Sequence, residues 1–155
     1  VHRFALRHPH RVAAAVIAAA GWYTFPDAST DWPRGLRVAD GGPSLDLEAL
    51  LCKDLLVLIG DRDTQQDELL NCSSAIVAQQ GGHRLERAER WVAAMHAAAK
   101  AHGVPARVTL AQLPGAGHSF ETAMDRHNLQ GLVASHLFPT TGAPSQSPQP
   151  TMATA

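Results

Sequence analysis

The sequence is poor in the features that usually announce a chemistry. It has two cysteines in 155 residues, Cys52 and Cys72. They are too few for a disulfide framework and form no CxxC pair, so they read as buried thiols and not as a redox site. Charged residues are only 17% of the chain and the formal net charge is −1, which leaves no basic footprint for nucleic acid. No apolar run approaches the roughly eighteen residues that a membrane span needs. The stretch Val12 to Ala20 is too short for one and lacks a cleavage context. HExxH, GxxxxGK[ST] and GxGxxG are all missing, which removes the common zinc, phosphate-loop and dinucleotide signatures. The nine histidines show no repeated ligand spacing. His8-Pro9-His10 cannot converge two imidazoles, so no metal or other cofactor is expected.

What is present is an alternation. Apolar residues make up 45%, and the length suits one domain with a real core. Val1 to His8 reads as a helix ended by Pro9, because the residue before a proline is pushed out of the α region. Val12 to Ala19 is a continuous apolar run, the pattern of a strand covered on both faces. An irregular stretch holding Trp22, Tyr23 and Phe25 follows, up to a short helix at 45–51. Leu55 to Ile59 is the clearest buried strand, ended by Gly60-Asp61-Arg62-Asp63. Residues 66–79 read as a helix, which places Ser73 and Ser74 inside it. Residues 84–102 give the best helix, with Leu85, Ala88, Val92, Met95 and Ala99 at three-four spacing and Gly103 as its stop. Val108 to Leu113 alternates as an edge strand, Pro114 to His118 forms a turn-rich loop, and a last helix spans 122–137. From Pro139 the composition is Pro, Ser, Thr, Gln and Ala without periodicity, which predicts a disordered tail over 139–155. The order calls for an α/β fold: about three parallel strands flanked by helices, in one unit over residues 1–138.

Ligands in such sheets gather beyond the carboxyl ends of the strands. Two polar groups lie there: Asp63, four positions after Ile59, and His118, five after Leu113. A carboxylate beside an imidazole fixes its tautomer and stabilises the imidazolium formed when it takes a proton. Each residue also has a plainer reading, Asp63 as a helix cap or turn residue and His118 as a surface loop residue. Asp61 reads as a solvated turn residue, and Asp27, after the first strand, is the alternative acid.

Gly60-Asp61-Arg62-Asp63 after one buried strand and Gly117-His118-Ser119-Phe120 after the next resemble the acid and histidine loops of the α/β-hydrolases, with the flavour of esterase and polyhydroxybutyrate-depolymerase-like members. The resemblance covers roughly residues 1–138. It implies a partial α/β-hydrolase fold, with Asp63, the fourth residue of the Gly-x-x-Asp turn, and His118 as catalytic acid and base. It places Trp22, Tyr23 and Phe25 where the family has substrate-pocket residues, although packing of a loop over the core accounts for them equally. In the family the chain order is nucleophile, acid, histidine, yet no Gly-x-Ser-x-Gly occurs here. The chain opens at Val1 in helix-like sequence, so truncation is expected, with the nucleophile and oxyanion-hole loop upstream. The expected partners are a small-molecule ester and the upstream half of the same domain, with neither nucleic acid nor membrane. Two alternatives stand beside this: a catalytically inactive hydrolase module with a binding or assembly role, and a flavodoxin-like module in which Asp63 and His118 are incidental.

Overall fold

A computed structural model describes residues 1–139; the tail expected over 139–155 lies outside the described residues apart from Pro139. Three strands, β1 (Ala14–Ala18), β2 (Asp54–Gly60) and β3 (Val108–Leu113), form one parallel sheet in the order β1-β2-β3. The register pairs Val16 with Leu56 and Leu58 with Ala111. All three strands therefore run to the same rim, which is where Asp63 and His118 follow them.

The helices are α1 (His2–Arg7), α2 (Leu47–Leu51), α3 (Ser74–Gln80), α4 (Arg84–Ala101), α5 (Phe120–His127) and α6 (Leu129–Leu137), with a 3-10 turn at Pro9–Arg11. Alternation along the strands sends Ala15, Ile17, Leu55, Val57 and Ile59 to one face, where they pack with Leu6, Leu50, Trp91 and Met95 from α1, α2 and α4. The opposite face, centred on Leu58 and Leu113, receives Ala123 and Leu129 from α5 and α6.

Coverage of that second face is incomplete, contrary to the expectation for the first strand. Ala15 and Ile17 of β1 are buried while Val16 is only partly so. Beside Val16 an apolar groove of about 740 Å³ is lined by Phe4, Val12, Phe120, Val133 and Leu137 among others. Among the described residues β1 pairs only with β2. Its outer edge presents unpaired backbone groups next to exposed Phe4 and Phe120, a surface that natural sheets avoid leaving open.

Two helix boundaries depart from the sequence expectation. Residues 66–73 are irregular and α3 starts only at Ser74, because side chains compete for the backbone: Asp67 accepts the N–H of Leu69 (3.0 Å) and Asn71 that of Ser73 (3.0 Å). The expected last helix is two, broken at Asn128 in the left-handed region (φ 49°), which asparagine tolerates better than most residues. At the head of α4, His83 Nδ1 accepts the Glu86 N–H (3.2 Å) while Glu86 accepts the Gly82 N–H (2.7 Å), a reciprocal cap. The two cysteines correct another expectation: both thiols are free and exposed, since Cys52 follows the end of α2 and Cys72 falls in the irregular segment.

His2 lies in the core against Tyr23 (5.4 Å) and Trp91 (5.7 Å), and its Nε2 accepts the Thr24 N–H (3.1 Å). Burial, with the charge of Arg3 beside it, lowers its pKa to about 3. The unfolded chain would titrate His2 near 6.5. Between those two pH values the unfolded state binds the proton and the native state does not, so His2 costs nothing above about pH 6.5 and destabilises increasingly as pH falls towards 3. The slope is at most about 1.4 kcal/mol per pH unit. Urea midpoints recorded from about pH 7 to about pH 4 are expected to fall more steeply for the native sequence than for His2→Gln. Parallel profiles would contradict this assignment.

Candidate active site

The rim of the sheet carries two loops joined to each other. The first is the turn after β2, where the Asp63 N–H donates to the Gly60 carbonyl (3.1 Å). Gly60 is required there by close approach, since a Cβ would run into the Ala116 carbonyl of the second loop. That second loop leaves β3 at Leu113 and passes through Gly115 at φ +78°. It brings His118 back over the first turn, with Nδ1 2.9 Å from Asp63 Oδ2. An ionised carboxylate can only accept, so this contact puts the proton on Nδ1 and leaves Nε2 with its lone pair. Among the described residues Nε2 makes no hydrogen bond.

The two partners differ in exposure. The Asp63 side chain is 1% exposed and that of His118 is 43% exposed. Asp63 also lies near a second cation, Arg84, whose Nη1 is 3.8 Å from Oδ1. Arg84 itself is buried and is held by Asp67, to which Nη2 donates (3.0 Å). That bond holds the Asp67 carboxyl below the usual range. Tyr23, wholly buried, has its phenol pushed up by burial and then by the Asp63 charge.

His118 faces two spaces. One is an apolar cavity of about 230 Å³ bounded by Ala18 and Ala19 at the end of β1 and by Ile59, Gly60 and Phe120. The other, about 460 Å³, is polar and bounded by Arg62, Gln65, Asp67 and Ser119. A base with a free lone pair, a buried carboxylate behind it and open space in front can accept and return a proton. Among the described residues no group of three or more His, Cys, Asp or Glu side chains could hold a metal ion. Among the described residues no helix is long and apolar enough to cross a membrane.

The remaining sequence candidates lie elsewhere. Asp27 is occupied locally, accepting from Ser29 N–H (2.8 Å) and Thr30 Oγ1. None of Trp22, Tyr23 and Phe25 borders either space beside His118. Tyr23 is wholly buried: it stacks on Trp91 (4.9 Å), and Gln80 clamps its backbone N–H and carbonyl (2.8 Å each). The indole of Trp22 is covered by the Arg3 guanidinium (3.8 Å), and Phe25 packs on the core. Asp61 is not simply solvated, since its Oδ1 accepts the Gly115 N–H (2.7 Å).

Sequence reasoning also missed Arg84 and Arg87. Both lie on the buried stripe of α4 with Trp91 and Met95. Arg87 is fully buried and donates to the carbonyls of Gly81 (2.9 Å), Asn71 (2.9 Å) and Gly21, which ties together three segments of the chain. The available signal was a charge recurring at the three-four positions of an otherwise apolar face.

No family model and no curated protein matches the chain. Solved structures do. Poly(aspartic acid) hydrolase-1 from Sphingomonas sp. KT-1 is 35% identical over 86% of this chain, with a TM-score of 0.73. LpqC, a poly(3-hydroxybutyrate) depolymerase from Bordetella parapertussis, is 32% identical over 89%, with a TM-score of 0.71. The chain spans 50% and 44% of the length of those two proteins. Three parallel strands flanked by helices match a partial α/β-hydrolase fold, and the chain is similar to the carboxy-terminal part of polyhydroxybutyrate-depolymerase-like hydrolases.

Proposed function

We propose that this part of an α/β-hydrolase supplies the acid, Asp63, and the general base, His118, of a serine-type enzyme that cleaves carboxylic esters or related acyl bonds. The nucleophile would come from the upstream half of the same domain. The observation that carries the reading is the 2.9 Å contact between His118 Nδ1 and buried Asp63, made while Nε2 stays unengaged beside an apolar cavity at the end of β1. A serine hydroxyl entering that cavity would give its proton to Nε2 as it attacks the carbonyl carbon. The imidazolium then formed returns the proton to the leaving oxygen, with Asp63 stabilising the charge throughout. Water repeats the cycle on the acyl-enzyme. The neighbours act on a polyester and on a poly(amino acid), which favours acyl transfer over phosphoryl or redox chemistry.

The open edge of β1 and the apolar groove beside it are the surface on which the upstream half would dock, adding a strand to the sheet and covering Phe4, Val16 and Phe120. The chain alone is expected to self-associate at micromolar concentration and to lack esterase activity, because base and acid without nucleophile and oxyanion hole lose most of the rate. Co-expressing the segment encoded upstream should give a one-to-one complex that hydrolyses a p-nitrophenyl ester. A chain that is monomeric by ultracentrifugation, melts cooperatively alone and gains no activity from that segment would favour the rival reading, an inactive module kept for binding.

A further inference from the structure

We propose that Asp61 is a positioning residue for His118, acting through the loop that carries the imidazole. This rests on the reading of Asp63 and His118 as acid and base, and adds a second carboxylate to the same turn with a different task.

The loop from Leu113 to Ser119 has few restraints. Ala116 is buried, while Gly115, Gly117, His118 and Ser119 are exposed, and the ring of His118 is tied only to Asp63 among the described residues. Gly115 takes φ +78° with open space where a side chain would stand, so packing does not hold it. Besides the imidazole contact, three hydrogen bonds join the acid turn to the backbone of this loop. The Asp61 N–H donates to the Leu113 carbonyl (3.2 Å) and the Arg62 N–H to the Ala116 carbonyl (2.9 Å). The Asp61 carboxylate accepts the Gly115 N–H at 2.7 Å, the shortest of the three.

A hydrogen bond to an ionised acceptor is roughly twice as strong as a neutral one. It falls at the residue whose left-handed backbone turns the chain towards His118. The turn Gly60–Asp63 therefore fixes both ends of the pair: Asp63 takes the imidazole N–H, and Asp61 fixes the backbone three residues before the imidazole. Small displacements matter here, because about 1 Å of misplacement can cost a hundredfold in rate.

The test is the proton on His118 Nδ1, observed by ¹⁵N-edited NMR of the one-to-one complex with the upstream half at low temperature, where a carboxylate-bound imidazole N–H gives a distinct low-field signal. The signal is expected in the native sequence, lost to solvent exchange in Asp61→Ala, and restored in Asp61→Asn, which keeps an acceptor oxygen. The amide signals of β2 and α4 should stay in place across the series. If Asp61→Ala does not fold, Asp61→Glu keeps the charge, displaces the acceptor and is expected to lose the same signal. A signal that survives Asp61→Ala, or survives Asp61→Glu where that variant must be used, overturns the positioning role and leaves the acid–base reading standing. No signal in the native sequence, or none lost on Asp63→Asn, overturns that reading and the positioning role with it.

Discussion

Asparagine in place of Asp63 is expected to lower kcat of the completed hydrolase by about ten-thousandfold, with little change in KM. The size follows from the tautomer and not from one lost contact. Asp63 accepts a hydrogen bond from the Nδ1–H, which leaves the lone pair on Nε2. An amide at the same place can present its own N–H to Nδ1, which moves the ring proton to Nε2 and removes the base. A ten-thousandfold loss is about 5.5 kcal/mol, well above the roughly 1–3 kcal/mol of one buried hydrogen bond. A fall of only tenfold or so would mean that Asp63 merely steadies the ring. The fold should survive the change, because Arg84 keeps its second carboxylate, Asp67, at 2.7 Å. Steady-state hydrolysis of a p-nitrophenyl ester, with circular dichroism as the check on folding, separates these outcomes.

Arg87→Met is expected to destabilise the chain by about 2–4 kcal/mol, a large share of what a small domain possesses. Methionine fills a similar volume without donors, so the loss isolates the hydrogen bonds. Arg87 is 0% exposed and serves carbonyls from the loop after β1, from the segment before α3 and from the turn before α4. Burial pulls its guanidinium pKa down from the ordinary arginine value. The buried Gly81 carbonyl left unpaired costs about 1–3 kcal/mol, and the part-buried carbonyls of Gly21 and Asn71 cost less because water can reach them. Urea unfolding of the full chain measures the difference. A shift below about 1 kcal/mol would show that these segments stand without their common donor.

Much of this arrangement was legible in the sequence, for identifiable reasons. The strands at 55–59 and 108–113 were bounded by apolar content and by glycine-rich turns, and the rim positions of Asp63 and His118 follow from parallel strands alone. What was not legible depended on partners distant along the chain. Whether a tyrosine after a strand faces substrate or core depends on Gln80 and Trp91, 57 and 68 positions away by number, and Tyr23 went to the core. Asp61 looked solvated because its acceptor role involves a backbone N–H 54 residues on. The irregular stretch before α3 was obscured because Asp67 and Asn71 fit a helix by pattern while their side chains bond the backbone locally. The break at Asn128 rested on one residue's tolerance of the left-handed region. Two arginines on a core stripe broke the apolar rule at the place where three segments needed a shared donor.

The most direct measurement is a double-mutant cycle on kcat in the completed hydrolase, using Asp63→Asn and His118→Ala singly and together. If the two side chains act as one unit, the double variant should be no slower than His118→Ala alone, since Asp63 has no task once the imidazole is gone. Losses that multiply, or a His118→Ala variant that retains full activity, would contradict the account.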